Sequence, residues 1–141
     1  MKETVLVGVY DSLRKVGKYH NAYMRNAEYL GVYYTEPEFT LYSLAREFPG
    51  LRRGGSTSVL LEIYRITREE LKNMDFLQCS GNDDSVNLYN RVEIDTPFGE
   101  CYIYEYTKII MNKPRIESGD WFQYRKQIND IIISAKSKII H

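Results

Sequence analysis

Apolar positions first cluster at Val5, Leu6, Val7 and Val9, a run suited to a short buried strand. Asp11, Ser12, Arg14 and Lys15 follow with no Gly or Pro among them to make a simple hairpin. The strand therefore runs into a loop of backbone amides, a hydroxyl and two cations, a combination suited to holding an anion. In YHNAYMRNAEYLG, Tyr19, Tyr23, Ala27 and Leu30 fall at helical spacing, with Gly31 where such a helix would end. YYTEPEFTLYSL predicts extended chain, with Pro37 at an edge or turn. EFPGLRRGG predicts a loop from its Pro49-Gly50 and Gly54-Gly55 pairs. STSVLLEIYRI alternates well enough for a central strand.

TREELKNMDFLQ carries the clearest helix start. Thr67 can cap it while Glu70, three residues on, closes a capping box. Leu71, Met74 and Gln78 then share one stripe, with Asp75 and Leu77 beside it, so the apolar face of this helix ends in an amide. LYNRVEID and ECYIYEYTKI predict a hairpin turned by Pro97 and Gly99. Period two puts Tyr89 and Arg91 on one face of its first strand, and Tyr102, Tyr104 and Tyr106 on one face of its second. A last helix begins near SGDW, with Trp121, Tyr124, Ile128, Ile131, Ala135 and Ile139 as its buried stripe. Strands mixed with helices, and hairpins in place of strict βαβ repeats, predict a mixed α+β domain.

The length of 141 residues fits one domain with one sizeable core. Nineteen basic residues balance nineteen acidic ones, which leaves no electrostatic footprint for nucleic acid or an anionic membrane. The opening apolar run is too short for a signal peptide, and no run approaches the ~20 apolar residues of a membrane span. A cytoplasmic protein is expected. Cys79 and Cys101 are too few for a disulfide framework and are expected as free thiols. The two histidines and two cysteines lack metal-ligand spacing, so neither metal nor cofactor is expected. The thirteen tyrosines are half-buried strand residues with wet hydroxyls or, alternatively, several of them line one polar pocket. Richness in Lys, Asn, Ile and Tyr is also the composition of AT-rich genomes, some viral ones included. The sequence sets no oligomeric state.

The order of motifs carries more. Tyr10-Asp11-Ser12-Leu13-Arg14-Lys15, then Gly17 and Tyr19-His20, is similar to the Tyr-Gly-Thr-Leu-Arg loop of the γ-glutamylcyclotransferase-like family, with its following Lys, Gly and Asn-His. Leu41-Tyr42 with Phe48-Pro49-Gly50-Leu51, the strand Val59-Leu60-Leu61-Glu62-Ile63-Tyr64, the helix end Met74-Asp75-Phe76-Leu77-Gln78-Cys79, Tyr89-Asn90-Arg91, and Ser118-Gly119-Asp120-Trp121 each resemble that family's pattern in the same order. The chain most resembles its small γ-glutamylamine cyclotransferase branch. The resemblance spans nearly all of residues 1–141 and implies a small β-barrel-like mixed sheet with helices packed outside and a pocket at one end. It also implies that backbone amides of the loop after the first strand receive the α-carboxylate of a γ-glutamyl group. A glutamate at the helix end would then take a proton from the α-amine, which attacks the γ-carbonyl and closes 5-oxoproline. On this basis Val9, Tyr10, Asp11, Ser12, Leu13, Arg14 and Tyr89 are the candidate ligand-binding residues, the partner being a small polar molecule.

This sequence departs from that pattern at the chemistry. The glutamate position holds Gln78, and an amide is no carboxylate base near neutral pH. Asp11 replaces the loop glycine and puts negative charge where a carboxylate would dock, and Cys79 replaces the glycine after the glutamate. A designed Glu-to-Gln change, drift to a non-catalytic relative, and chemistry through another base (Asp11 or Asp75) all remain open for Gln78. Asp75 is otherwise a structural acceptor one turn earlier, and Asp11 otherwise points into solvent. His20 is expected to make a structural hydrogen bond, and Cys79 to be a small buried side chain. Arg91 either orients the pocket through Tyr89 or lies across the sheet as a surface cation. A pocket with its base lost, and with Arg14 and Lys15 near its mouth, would alternatively sequester a polar metabolite or nucleotide signal.

Overall fold

The computed structural model describes residues 3–15, 17–45, 48–79 and 88–140. Ten elements follow one another: β1 (Thr4–Val9), α1 (His20–Tyr23), β2 (Glu28–Tyr34), β3 (Phe39–Ala45), β4 (Phe48–Arg53), β5 (Leu60–Thr67), α2 (Arg68–Cys79), β6 (Tyr89–Thr96), β7 (Gly99–Tyr106) and α3 (Trp121–Ile140). Five strands form a curled mixed sheet in the order β2-β5-β1-β7-β6, and β3 with β4 forms a separate antiparallel ribbon. β1 is the pivot: it pairs antiparallel with β5, Val7 opposite Tyr64, and parallel with β7, Leu6 opposite Cys101. The fold is a single α+β domain, as the alternation of strand and helix patterns predicts.

The middle of the sheet is covered on both faces, which explains why β5 is buried almost throughout, Glu62 included, rather than on alternate residues. On one face Leu61, Ile63, Cys101 and Ile103 pack with Leu41 and Leu51 of the ribbon and with Trp121 at the start of α3. On the other, Val7, Val9, Tyr64, Ile66 and Tyr104 pack with Leu71 and Met74 of α2 and with Leu13 and Met24. The capping box forms as the sequence predicts. The Glu70 amide donates to Thr67 Oγ1 at 3.1 Å, and the Thr67 amide donates to Glu70 Oε1 at 2.8 Å. β5 thus turns into α2 without a loop, and the helix lies over the sheet with Leu71, Met74 and Gln78 inward.

Three expectations change. The helix expected from Tyr19 to Leu30 is only the four-residue α1, and Leu30 and Gly31 belong to β2. Pairing of Glu28–Tyr34 with β5 overrides the local spacing. Gly31 marks an irregularity in that pairing, at φ 148°, where an added Cβ would lie 2.9 Å from the Phe98 ring. Phe48–Arg53, expected as loop, is β4, with Pro49 and Gly50 opposite Ser43 and Tyr42. A two-stranded ribbon is all edge, and an edge tolerates proline. Finally, α3 buries only its first turn: Trp121 is enclosed, but Ile128 and Ile131 are 38% and 64% exposed and Ala135 is also outward. The Ile139 side chain lies outside the described residues.

Candidate functional site

At the end of β1 the chain makes a tight turn, the Arg14 amide donating to Asp11 O at 3.0 Å. The Asp11 side chain reinforces it, Oδ1 accepting from the Leu13 amide at 3.0 Å. The Tyr19 amide donates to Ser12 O at 3.0 Å, and His20 Nδ1 donates to Leu13 O at 2.8 Å, so His20 serves the loop's shape. Leu13, locked in this way, drops into the core.

The two polar groups of the site meet where the loop passes the end of α2. Gln78, on the inward stripe of the helix, donates through Nε2 to Asp11 Oδ2 at 3.0 Å. Each oxygen of Asp11 therefore accepts one hydrogen bond, from a backbone amide and from a side-chain amide. Burial raises the Asp11 carboxyl above its ordinary range, and the bonds from Leu13 and Gln78 pull it part of the way back.

Asp11, Ser12 and Gln78 floor a cavity of about 280 Å³. Its walls come from Leu44 and Phe48 of the ribbon, Leu77 of α2, Tyr89 and Tyr106 of the hairpin, and Tyr19 and Leu88. Tyr89 donates to Pro49 O at 2.8 Å, tying the hairpin to the ribbon across the cavity. Burial and the neighbouring Asp11 both raise its phenol well above the usual range, so it stays a neutral donor.

Of the candidate residues, Asp11, Ser12, Gln78 and Tyr89 surround this cavity; Val9, Tyr10, Leu13 and Arg14 do not line it. Val9 and Leu13 are core. Tyr10 is a buried clasp, its hydroxyl donating to Tyr104 O at 2.7 Å and accepting from the Leu51 amide at 3.2 Å. Arg14 points elsewhere: Nε reaches Glu62 Oε2 at 3.0 Å and Nη1 reaches Asp120 Oδ1 at 2.9 Å. Lys15 Nζ lies 3.4 Å from the centre of the Tyr29 ring. The pair of cations expected at the mouth is therefore engaged away from it.

Asp75 lies outside the cavity, accepting from Tyr104 at 2.7 Å and from Arg91 Nη1 at 2.5 Å. Arg91 stacks over Tyr102 and makes no bond to Tyr89, which places it across the sheet. The Cys79 side chain lies outside the described residues. Cys101 is buried in the core, which pushes its thiol up to about 12. Among the described residues no helix is long and apolar enough to cross a membrane.

Sequence reasoning missed the walls. Tyr106 was within reach, since it shares the Tyr102–Tyr104 stripe. Leu44 and Phe48 carried no signal, because only the ribbon's pairing brings them beside Tyr89.

Known proteins share the sequence pattern and the fold. The family pattern described as gamma-glutamyl cyclotransferase, AIG2-like, matches residues 7–123. A Vibrio cholerae (serotype O1) protein that carries the gamma-glutamylcyclotransferase name is 37% identical over 118 residues, covering 84% of this chain and 96% of its own. The gamma-glutamylcyclotransferase family protein YtfP of Escherichia coli K12 is 38% identical over 119 residues, again 84% and 96%. The solution structure of Escherichia coli YtfP superposes with a TM-score of 0.67 at 35% identity, covering 83% of this chain and 96% of that one. An AIG2-like protein from mouse shares the fold, with a TM-score of 0.68 at 20% identity over 84% and 89% of the two chains. This chain belongs to the AIG2-like gamma-glutamylcyclotransferase family.

Proposed function

We propose that this protein binds a small polar ligand of the γ-glutamyl-amine kind in the cavity floored by Asp11, Ser12 and Gln78, and that it cyclises such a ligand poorly or not at all. The observation that carries this reading is the Gln78–Asp11 hydrogen bond. At the position where the family resemblance implies a glutamate base, an amide is already donating to a carboxylate. Cyclotransfer needs a proton taken from the α-ammonium so that its nitrogen can attack the γ-carbonyl carbon, and a second transfer to the departing amine. Gln78 can perform neither transfer. A missing general base lowers a rate by ~10²–10⁴. Asp11 adds a second obstacle, since its own oxygen takes the Leu13 amide that a substrate carboxylate would otherwise seek.

The test is 5-oxoproline release from γ-glutamyl-ε-lysine. The wild-type chain is expected to run near background. Gln78→Glu alone would set two carboxylates side by side, raising the pKa of one and leaving the Leu13 amide still taken by Asp11. The double change Asp11→Gly with Gln78→Glu is the variant expected to gain, by about 10² or more. Substantial turnover by the wild-type protein would overturn the reading. Thermal shift with the same compound addresses binding, because a ligand that binds only the native state raises its stability. Ser12→Trp, which fills the floor, is expected to abolish the shift.

A further inference from the structure

The cavity pairs a carboxylate floor with aromatic walls, which suits a ligand of opposite charge to a carboxylate. We infer that it takes a protonated primary amine carried on an apolar body, with Asp11 as the counter-charge. The inference rests on the reading that this cavity binds a small molecule, and it names the part of the ligand that is recognised.

A carboxylate offers about four acceptor sites; Leu13 and Gln78 occupy two of those on Asp11 and its own amide leans on the carboxyl as well, which leaves acceptor capacity for a ligand ammonium. Among the described residues no Lys or Arg forms an ion pair with Asp11. Arg14, the cation that acts on it from a distance, is bound to Glu62 and Asp120. Among the described residues this partly desolvated carboxyl is thus without a cation of its own, a debt that a bound ammonium settles. The same features disfavour an anion, since the Leu13 amide is taken and Asp11 repels it.

The walls select the rest of the molecule. Tyr19, Phe48, Tyr89 and Tyr106 bring ring surface to the cavity, and such faces attract cations as well as apolar groups. Leu44 and Leu77 add aliphatic surface. At about 280 Å³ the space suits a small arylalkyl amine or a short diamine.

Isothermal titration of the full chain in low-salt buffer near pH 7 distinguishes the possibilities, with four probes: benzylamine, 1,5-diaminopentane, benzyl alcohol and benzoate. The expected result is saturable binding of at least one amine, with the alcohol and the acid weaker by about tenfold or more. Asp11→Asn, which can still accept from Leu13, is expected to lose amine binding by a similar factor. Equal binding of benzylamine and benzyl alcohol to the wild type would overturn the inference without recourse to any variant, as would amine affinity that survives Asp11→Asn in a folded protein. If γ-glutamyl-ε-lysine binds while neither amine does, the amine inference falls and the ligand-binding reading stands. If none of these compounds binds, both fall.

Discussion

Asp11 is where the identity of one residue changes what the whole site can do. A glycine there would leave the Leu13 amide open to a ligand; the aspartate closes it and adds a charge in partial burial. That burial has a signature in stability. The folded carboxyl holds its proton to higher pH than the unfolded one, whose value is about 3.9. Folding therefore takes up a proton in the interval above that value, and stability falls as pH rises through it. Asp11→Asn removes the charge while preserving an acceptor for Leu13. It is expected to raise the melting temperature near neutral pH and to give a smaller gain as the pH approaches about 4, where the native carboxyl is already protonated. Melting curves of the two proteins across that range test this. A gain of equal size at every pH would show that ionisation of Asp11 costs the fold nothing.

At the scale of elements, α2 shows what a local sequence can specify. Both halves of its capping box lie within four residues, so no distant partner is needed to read them. Thr67→Ala is expected to cost about 1 kcal/mol in urea denaturation. It is also expected to leave ligand binding at saturating stability unchanged, because Gln78 sits at the opposite end of the helix. A loss far below that figure would mean that tertiary packing alone holds the first turn. The β6–β7 hairpin is legible for the same reason as the cap, its turn lying next to both strands. β2 and β4 were not legible. Tyr19, Tyr23, Ala27 and Leu30 fit a helix by spacing, and only the β5 edge decides for strand from Glu28 onward. Pro49 and Gly50 look like loop until β3 is seen beside them. The site divides in the same way. Its floor came from motifs with local order, whereas its walls required knowing that the ribbon folds over the hairpin. The apolar stripe of α3 was real in the sequence, but beyond Trp121 the sheet is already covered by the ribbon, and Ile128 and Ile131 remain outward.

The whole molecule is tied together by a buried charge network that the motifs suggested only in part. Arg14 leaves the site loop and joins Glu62 of β5 to Asp120 at the start of α3, and its guanidinium also stacks over Phe122. Glu62 accepts in addition from the Lys15 amide at 2.8 Å and from the Tyr64 hydroxyl at 2.9 Å. Asp120 caps α3 through the Gln123 amide at 3.2 Å, and it follows Gly119, which has a φ of 72° and where an added Cβ would lie 1.9 Å from Ser58 O, so no side chain fits. The Arg and Asp of two separate motifs are thus one structural unit, set apart from the cavity. Arg14→Met keeps most of the volume but strands Glu62, which is 6% exposed, as a buried charge without its cation. Breaking a buried pair from one side costs about 3–5 kcal/mol, a large share of the ~5–15 kcal/mol that holds a domain together. Glu62→Gln in the same background removes the stranded charge while keeping acceptors for Lys15 and Tyr64, and is expected to recover part of that loss. Urea denaturation of the two single variants and the double forms the test. A double variant whose loss equals the sum of the singles would show that Arg14 and Glu62 act independently, and that the loop is held by its backbone turn instead.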